Sequence, residues 1–151
     1  MNLTLRQDAE KIARGAVAAV SPEAAVRRVL AGRSFSGKLY LVSVGKAGWK
    51  MAQVAIECLE QPVEKGIVVT KYYHVEQPLP GIDCYEAGHP VPDENSFRAA
   101  QAVLDMTKDL SPEDTVLFLL SGGGSALFEK PLVDSEELKK ITNQLLASGA
   151  D

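Results

Sequence analysis

Two hydrophobic patterns alternate along this chain: apolar residues at helical spacing, and short unbroken apolar runs of the kind that fill a sheet. Leu5, Ile12, Ala16 and Ala19 recur with a helical period, and Thr4 with Gln7 has the form of a capping box, which predicts a first helix. Ser21-Pro22 is an N-cap and first-turn pair for a second helix, whose stripe of Val26, Val29 and Leu30 stops near Gly32. After a polar turn over 32–38, Leu39 to Val44 forms an apolar run with one serine in it. That suits a strand covered on both faces and ending at Gly45. From Ala47 to Leu59 the period is helical again, with Met51, Val54, Ala55 and Cys58 on one side and Gln61-Pro62 as the stop. Gly66 to Thr70 is a second β-branched run. Strand, glycine-bearing turn, helix and strand make a βαβ unit, hence parallel strands joined by a right-handed crossover.

The second half repeats the alternation. Lys71 to Gly81 is polar and aromatic, with Pro78 and Pro80, and predicts a surface excursion. A brief strand over Asp83 to Ala87 leads into Gly88-His89-Pro90-Val91-Pro92-Asp93-Glu94-Asn95-Ser96. Two prolines there enforce an extended path until Asp93 or Asn95 caps a helix that runs to Lys108. Beyond the turn Ser111-Pro112-Glu113-Asp114, Thr115 to Leu120 has the strongest buried-strand pattern in the chain and delivers it into Ser121-Gly122-Gly123-Gly124-Ser125. Past Pro131, Asp134 and Glu137 cap a last helix with Leu138, Ile141 and Leu145 along one face. The alternation predicts a Rossmann-like α/β fold, a three-layer αβα arrangement with a mostly parallel sheet. A doubly wound fold ordinarily continues beyond a point such as Gly149-Ala150-Asp151, so the expected fold is incomplete.

Composition narrows the function classes. A length of 151 residues fits one domain, and 46% hydrophobic with 24% charged residues is the balance of a soluble globular chain. Sixteen Lys and Arg against 20 Asp and Glu leave a net charge of −4, with no broad positive field for nucleic acid or an anionic membrane. Any anion site must be local. Cys58 and Cys84 lack metal-ligand spacing and are expected to be buried, reduced thiols. The first residues include Asp8 and Glu10 and no continuous apolar segment, so the expectation is neither signal peptide nor membrane span, and a cytoplasmic location.

Ligands of open α/β sheets gather at the carboxyl ends of strands, where both glycine-bearing loops are expected. Gly45 and Gly48 bracket Lys46 just before a helix, where free main-chain N–H groups and the helix dipole favour negative charge. Lys46 would add a full positive charge able to neutralise a phosphoryl oxygen during transfer. The alternative is that the glycines serve only tight strand–helix packing. The Gly-x-x-Gly spacing is not the dinucleotide fingerprint, and a Walker A lysine loop is absent as well, which disfavours NAD. In the second loop, three consecutive glycines between Ser121 and Ser125 are expected to make an anion-binding nest, the competing view being a flexible hairpin or linker tip. A nucleophilic serine is disfavoured because the Gly-x-Ser-x-Gly elbow is missing. His74 and His89 show no metal-ligand spacing, so no metal site is expected; His89 is a candidate substrate contact or a turn histidine. Asp93, Asn95 and Ser96 divide between helix capping and substrate or metal contact, while Trp49, Tyr72 and Tyr73 are expected to be packing residues.

Taken together, Val44-Gly45-Lys46-Ala47, the Gly88 to Ser96 stretch and Ser121-Gly122-Gly123-Gly124-Ser125-Ala126-Leu127 resemble the glycerate 2-kinase family of the MOFRL type in content, order and spacing. The resemblance implies ATP-dependent phosphorylation of D-glycerate to 2-phosphoglycerate, with Mg2+ accompanying the nucleotide. It places a catalytic or phosphate-stabilising role on Lys46 and a phosphate-binding role on Ser121 to Ser125. Some relatives carry a hydroxypyruvate reductase label, against which the missing dinucleotide fingerprint stands; a non-catalytic nucleotide- or sugar-phosphate-binding module is the other alternative. Family members are much longer, with a separate C-terminal MOFRL domain and an active site in the cleft between domains. Residues 1–151 are therefore expected to be the N-terminal portion of such an enzyme, inactive alone and able to associate with further copies through apolar surface left uncovered.

Overall fold

The structure is a computed structural model and describes residues 3–149. Its elements run α1 (Leu3–Ala19), α2 (Pro22–Leu30), β1 (Leu39–Val44), α3 (Gly48–Cys58), β2 (Val63–Lys71), β3 (Ile82–Ala87), α4 (Glu94–Thr107), β4 (Thr115–Leu120), α5 (Gly124–Leu127) and α6 (Ser135–Ser148). All pairings between strands are parallel, in the order β3-β2-β1-β4. The chain steps from β1 to β2 to β3 in one direction. Helix α4 then carries it back across the sheet, so that β4 pairs with the far side of β1. The order reverses between β1 and β4.

Helices cover both faces, giving the expected three-layer α/β arrangement. On one face α3 packs Trp49 and Ala52 against Leu41, Val68 and Leu79. Behind it α2 contributes Val26 and Leu30 against Val54 and Ala55. On the other face Ala99 and Val103 of α4 and Leu127 of α5 meet Val42, Val44, Ile67, Val69 and Ala87. The apolar stretches Leu41–Val42 of β1 and Ile67–Val69 of β2 are buried on both faces, as central strands of a covered sheet require. Each fully buried Leu, Ile or Val adds roughly 1.5–3 kcal/mol to stability.

Several expectations need correction. Thr4 lies within α1 rather than at its cap. Strand β2 starts at Val63, ahead of the β-branched run; its polar beginning, Glu64 and Lys65, is exposed and forms ion pairs with Lys38 and Asp83. Strand β4 has the expected bounds but is an edge strand: Val116, Phe118 and Leu120 face outward and Leu120 is 65% exposed. An unbroken apolar run cannot by itself distinguish a central strand from an edge strand with one open face. Cys58 and Cys84 are free thiols but half-buried. Trp49 is buried, whereas Tyr72 and Tyr73 are exposed rather than packed. Among the described residues, no helix is long and apolar enough to cross a membrane.

Candidate functional site

The two glycine loops leave neighbouring strands at the point where strand order reverses. Val44 and Leu120, the last residues of β1 and β4, are register partners. The following residues are stitched together by hydrogen bonds. Ser121 N donates to Val44 O at 2.8 Å, Lys46 N donates to Gly122 O at 2.9 Å and Gly45 N donates to Val69 O at 3.0 Å. The Ser121 hydroxyl donates to Val44 O at 3.2 Å and accepts from Ala47 N at 3.1 Å. Ala47 is the N-cap of α3 and has no capping side chain; its own N–H is taken up by Ser121 from the other loop.

Glycine is required at specific points of this junction. Gly45 has φ +115°, and a β-carbon there would strike the Ser121 hydroxyl. At Gly48 a β-carbon would lie 3.1 Å from Ser43 O and from Val69 O, because the first turn of α3 rests on the strand ends. Tight packing is thus a real role of Gly45 and Gly48, and it leaves the Lys46 side chain exposed at the junction. In the second loop, the main-chain N–H groups of residues 122–125 donate to no acceptor among the described residues. Gly123 adopts the left-handed conformation at φ +86°, as a nest of main-chain N–H groups requires. Ser125 is exposed on α5, a single helical turn too short for sequence periodicity to reveal.

Lys46 and His89 meet above Gly123. A β-carbon on Gly123 would lie 2.7 Å from His89 Nε2 and 3.0 Å from Lys46 Cε. The His89–Pro90 peptide bond is cis. Partial burial of the imidazole, followed by the positive charges of Lys46 and Lys71, pushes the His89 pKa below its ordinary value. Three motifs far apart in sequence therefore converge on one spot.

Asp93 and Asn95 sit beside this spot, with their polar atoms taken up by architecture. Asp93 Oδ1 accepts from Asn95 N at 3.0 Å and from Ser96 N at 3.1 Å, capping α4, while the Ser96 hydroxyl accepts from Asp93 N. Tyr72 OH donates to Asp93 Oδ2 at 2.7 Å, and Asn95 Nδ2 donates to Tyr72 OH and to Glu86 O, both at 3.0 Å. Partial burial works against the Asp93 charge, but hydrogen bonds from Tyr72 and from the main chain of Gly88, Ser96 and Asn95 outweigh it and hold its pKa below the ordinary value. The Asp93 carboxylate in turn pushes the Tyr72 phenol up.

The loop after β2 is a part of the site that sequence patterning does not single out. Glu86 Oε1 accepts from His74 N and Val75 N, both at 2.9 Å, and Trp49 Nε1 donates to Gln77 O at 2.9 Å. His74 Nδ1 lies 3.2 Å from Lys46 O, so the excursion is pinned against the first glycine loop. Its one legible signal is composition: an aromatic and polar segment following a strand on the ligand side of the sheet. Among the described residues no group of three or more His, Cys, Asp or Glu side chains is placed to hold a metal ion.

Comparison with known proteins agrees with the motif resemblance. The family profile described as "Domain of unknown function (DUF4147)" matches residues 8–151. D-glycerate 2-kinase of Thermotoga maritima is 48% identical across 97% of this chain and 36% of its own length. Glycerate 2-kinase of Pyrococcus horikoshii is 42% identical across 81% of this chain and 28% of its own length. A crystal structure of glycerate kinase from Thermotoga maritima matches with a TM-score of 0.90 at 47% identity, covering 99% of this chain and 36% of that one. The chain thus spans about a third of the length of the curated relatives it matches.

Proposed function

This chain belongs to the DUF4147 domain family, and on that premise we propose that it forms the phosphate-binding, N-terminal part of a kinase that transfers phosphate from ATP to D-glycerate, giving 2-phosphoglycerate. The observation that carries this reading is the junction at the β1–β4 reversal. Unclaimed N–H groups of residues 122–125 lie beside the Lys46 side chain, in the crevice where α/β sheets bind ligands. The nest and Lys46 bind phosphoryl oxygens of the nucleotide, and the Lys46 charge offsets negative charge that develops during transfer.

His89 reaches the same place and contacts the substrate. Asp93 and Asn95 act from one layer further out, where their hydrogen bonds to Tyr72, Glu86 and the start of α4 keep the Gly88 to Pro92 loop in place. The nearby carboxylates accept hydrogen bonds, Asp93 from Tyr72 and Glu86 from His74 N and Val75 N. In this reading Mg2+ accompanies the nucleotide.

The test is kinetic. In a polypeptide that carries this chain and spans the length of its relatives, Lys46→Ala lowers kcat for D-glycerate phosphorylation by about 10²-fold or more. Because the side chain is exposed, the thermal midpoint stays close to the parent value. Undiminished turnover in that variant removes Lys46 from the mechanism.

A further inference from the structure

We infer that His89 is a catalytic residue, whose Nε2, set beside the Lys46 stem on the Gly123 backbone, receives the proton of the attacking substrate hydroxyl. The inference rests on the kinase reading above and deepens it. In that reading the phosphoryl group is held at this junction, and the glycine at 123 is what lets the ring stand beside it. With any β-carbon at that position the imidazole and the lysine stem would both be displaced.

The ring is also set up to accept a proton. No hydrogen bond occupies Nε2 among the described residues, and a neutral imidazole carries one ring nitrogen free to accept a proton. The charged groups facing the ring are Lys46, from the loop after β1, and Lys71, at the end of β2; residues 122–124 of the second loop bear no charge. The nearby carboxylate of Asp93 is bound to Tyr72 and to the start of α4. Partial burial and then the two cations disfavour the charged form of the imidazole.

The step balances without a further reactant. The hydroxyl O–H bond breaks and its proton passes to Nε2. The oxygen forms a bond to the γ-phosphorus of ATP as the bond from that phosphorus to the bridging oxygen breaks, and ADP departs with the electron pair. The imidazolium then returns its proton to solvent.

The experiment is a pH profile of kcat, with both substrates saturating, in the same relative-length polypeptide. The parent profile is expected to fall about tenfold per pH unit on its acid limb, below the apparent pKa of a single ionisation. His89→Gln keeps a hydrogen-bonding side chain but cannot accept the proton. Its kcat is expected to fall roughly 10²-fold, with the acid limb lost and both KM values within about threefold of the parent. A second measurement does not depend on that variant folding: the His89 ring, followed by NMR in the parent protein with a non-hydrolysable ATP analogue bound, titrates at the midpoint of the acid limb. An active parent whose His89→Gln variant keeps its rate and its limb, or whose His89 midpoint lies away from the limb, overturns this assignment alone. A parent that phosphorylates no glycerate overturns the kinase reading and this assignment together.

Discussion

At single residues the site is built by what glycine permits. Gly45 combines a positive φ with a β-carbon position already filled by the Ser121 hydroxyl. Gly45→Ala is expected to cost at least about 2 kcal/mol, since the left-handed conformation alone costs about 1–2 kcal/mol and the loops must also separate. Gly122 has open space around its α-carbon and is not in the left-handed region, so Gly122→Ala should stay within about 0.5 kcal/mol. Urea unfolding of the two variants gives the contrast directly. Asp93 provides a pH test. Its folded pKa lies below the unfolded value, so its contribution is fully present above about pH 4 and is lost as pH falls through the folded value. Stability measured between pH 6 and 2 should therefore drop less steeply in Asp93→Asn than in the parent.

Among the elements, α3 is the one whose start depends on another part of the chain. Ser121→Ala removes the acceptor for Ala47 N and should cost about 1 kcal/mol, whereas Ser125→Ala, at an exposed hydroxyl without a partner among the described residues, should be near neutral in the same thermal melts. The βαβ alternation was legible because β1, α3 and α4 each carry a complete pattern: a two-sided apolar run, a helical stripe, and a capping residue at Asp93. The glycine loops were legible as strand-to-helix junctions for the same reason. The network joining Tyr72, Glu86, Asp93 and Asn95 was not, because its members come from three segments and only the parallel pairing of β2 with β3 brings them together. The edge position of β4 was hidden likewise: its composition suits a central strand, and its neighbours are fixed by topology. Capping of α4 by Asp93 was one of two open possibilities, and the hydrogen bonds select it.

Over the whole molecule, burial is shared unevenly: α1, β4 and α6 hold no buried residue. Helices α1 and α6 contain no buried residue, and Leu5, Ile12, Ile141 and Leu145 are exposed along them. Together with the outer face of β4, this is more apolar surface than an isolated small domain ordinarily shows to water. The 151-residue chain should therefore bind an apolar fluorescent dye while retaining native-like unfolding cooperativity. Phe118→Asp should lower the dye signal with a stability change under about 1 kcal/mol, because Phe118 is 47% exposed. A dye signal unaltered by that substitution would place the apolar surface elsewhere than on β4.

The reversal of strand order also dictates when the site comes into being. The Ser121 hydroxyl bonds to residues 74 and 77 positions earlier, so the loop after β1 cannot take its final shape until the chain through β4 has been made and has threaded back across the sheet. Contacts of such separation form late, after the entropy of a long closure has been overcome. The same strand is held by a neighbour on one side only, and local opening at its edge undoes both loops together. The candidate site is thus assembled among the last events of folding and exposed to loss among the first events of fraying.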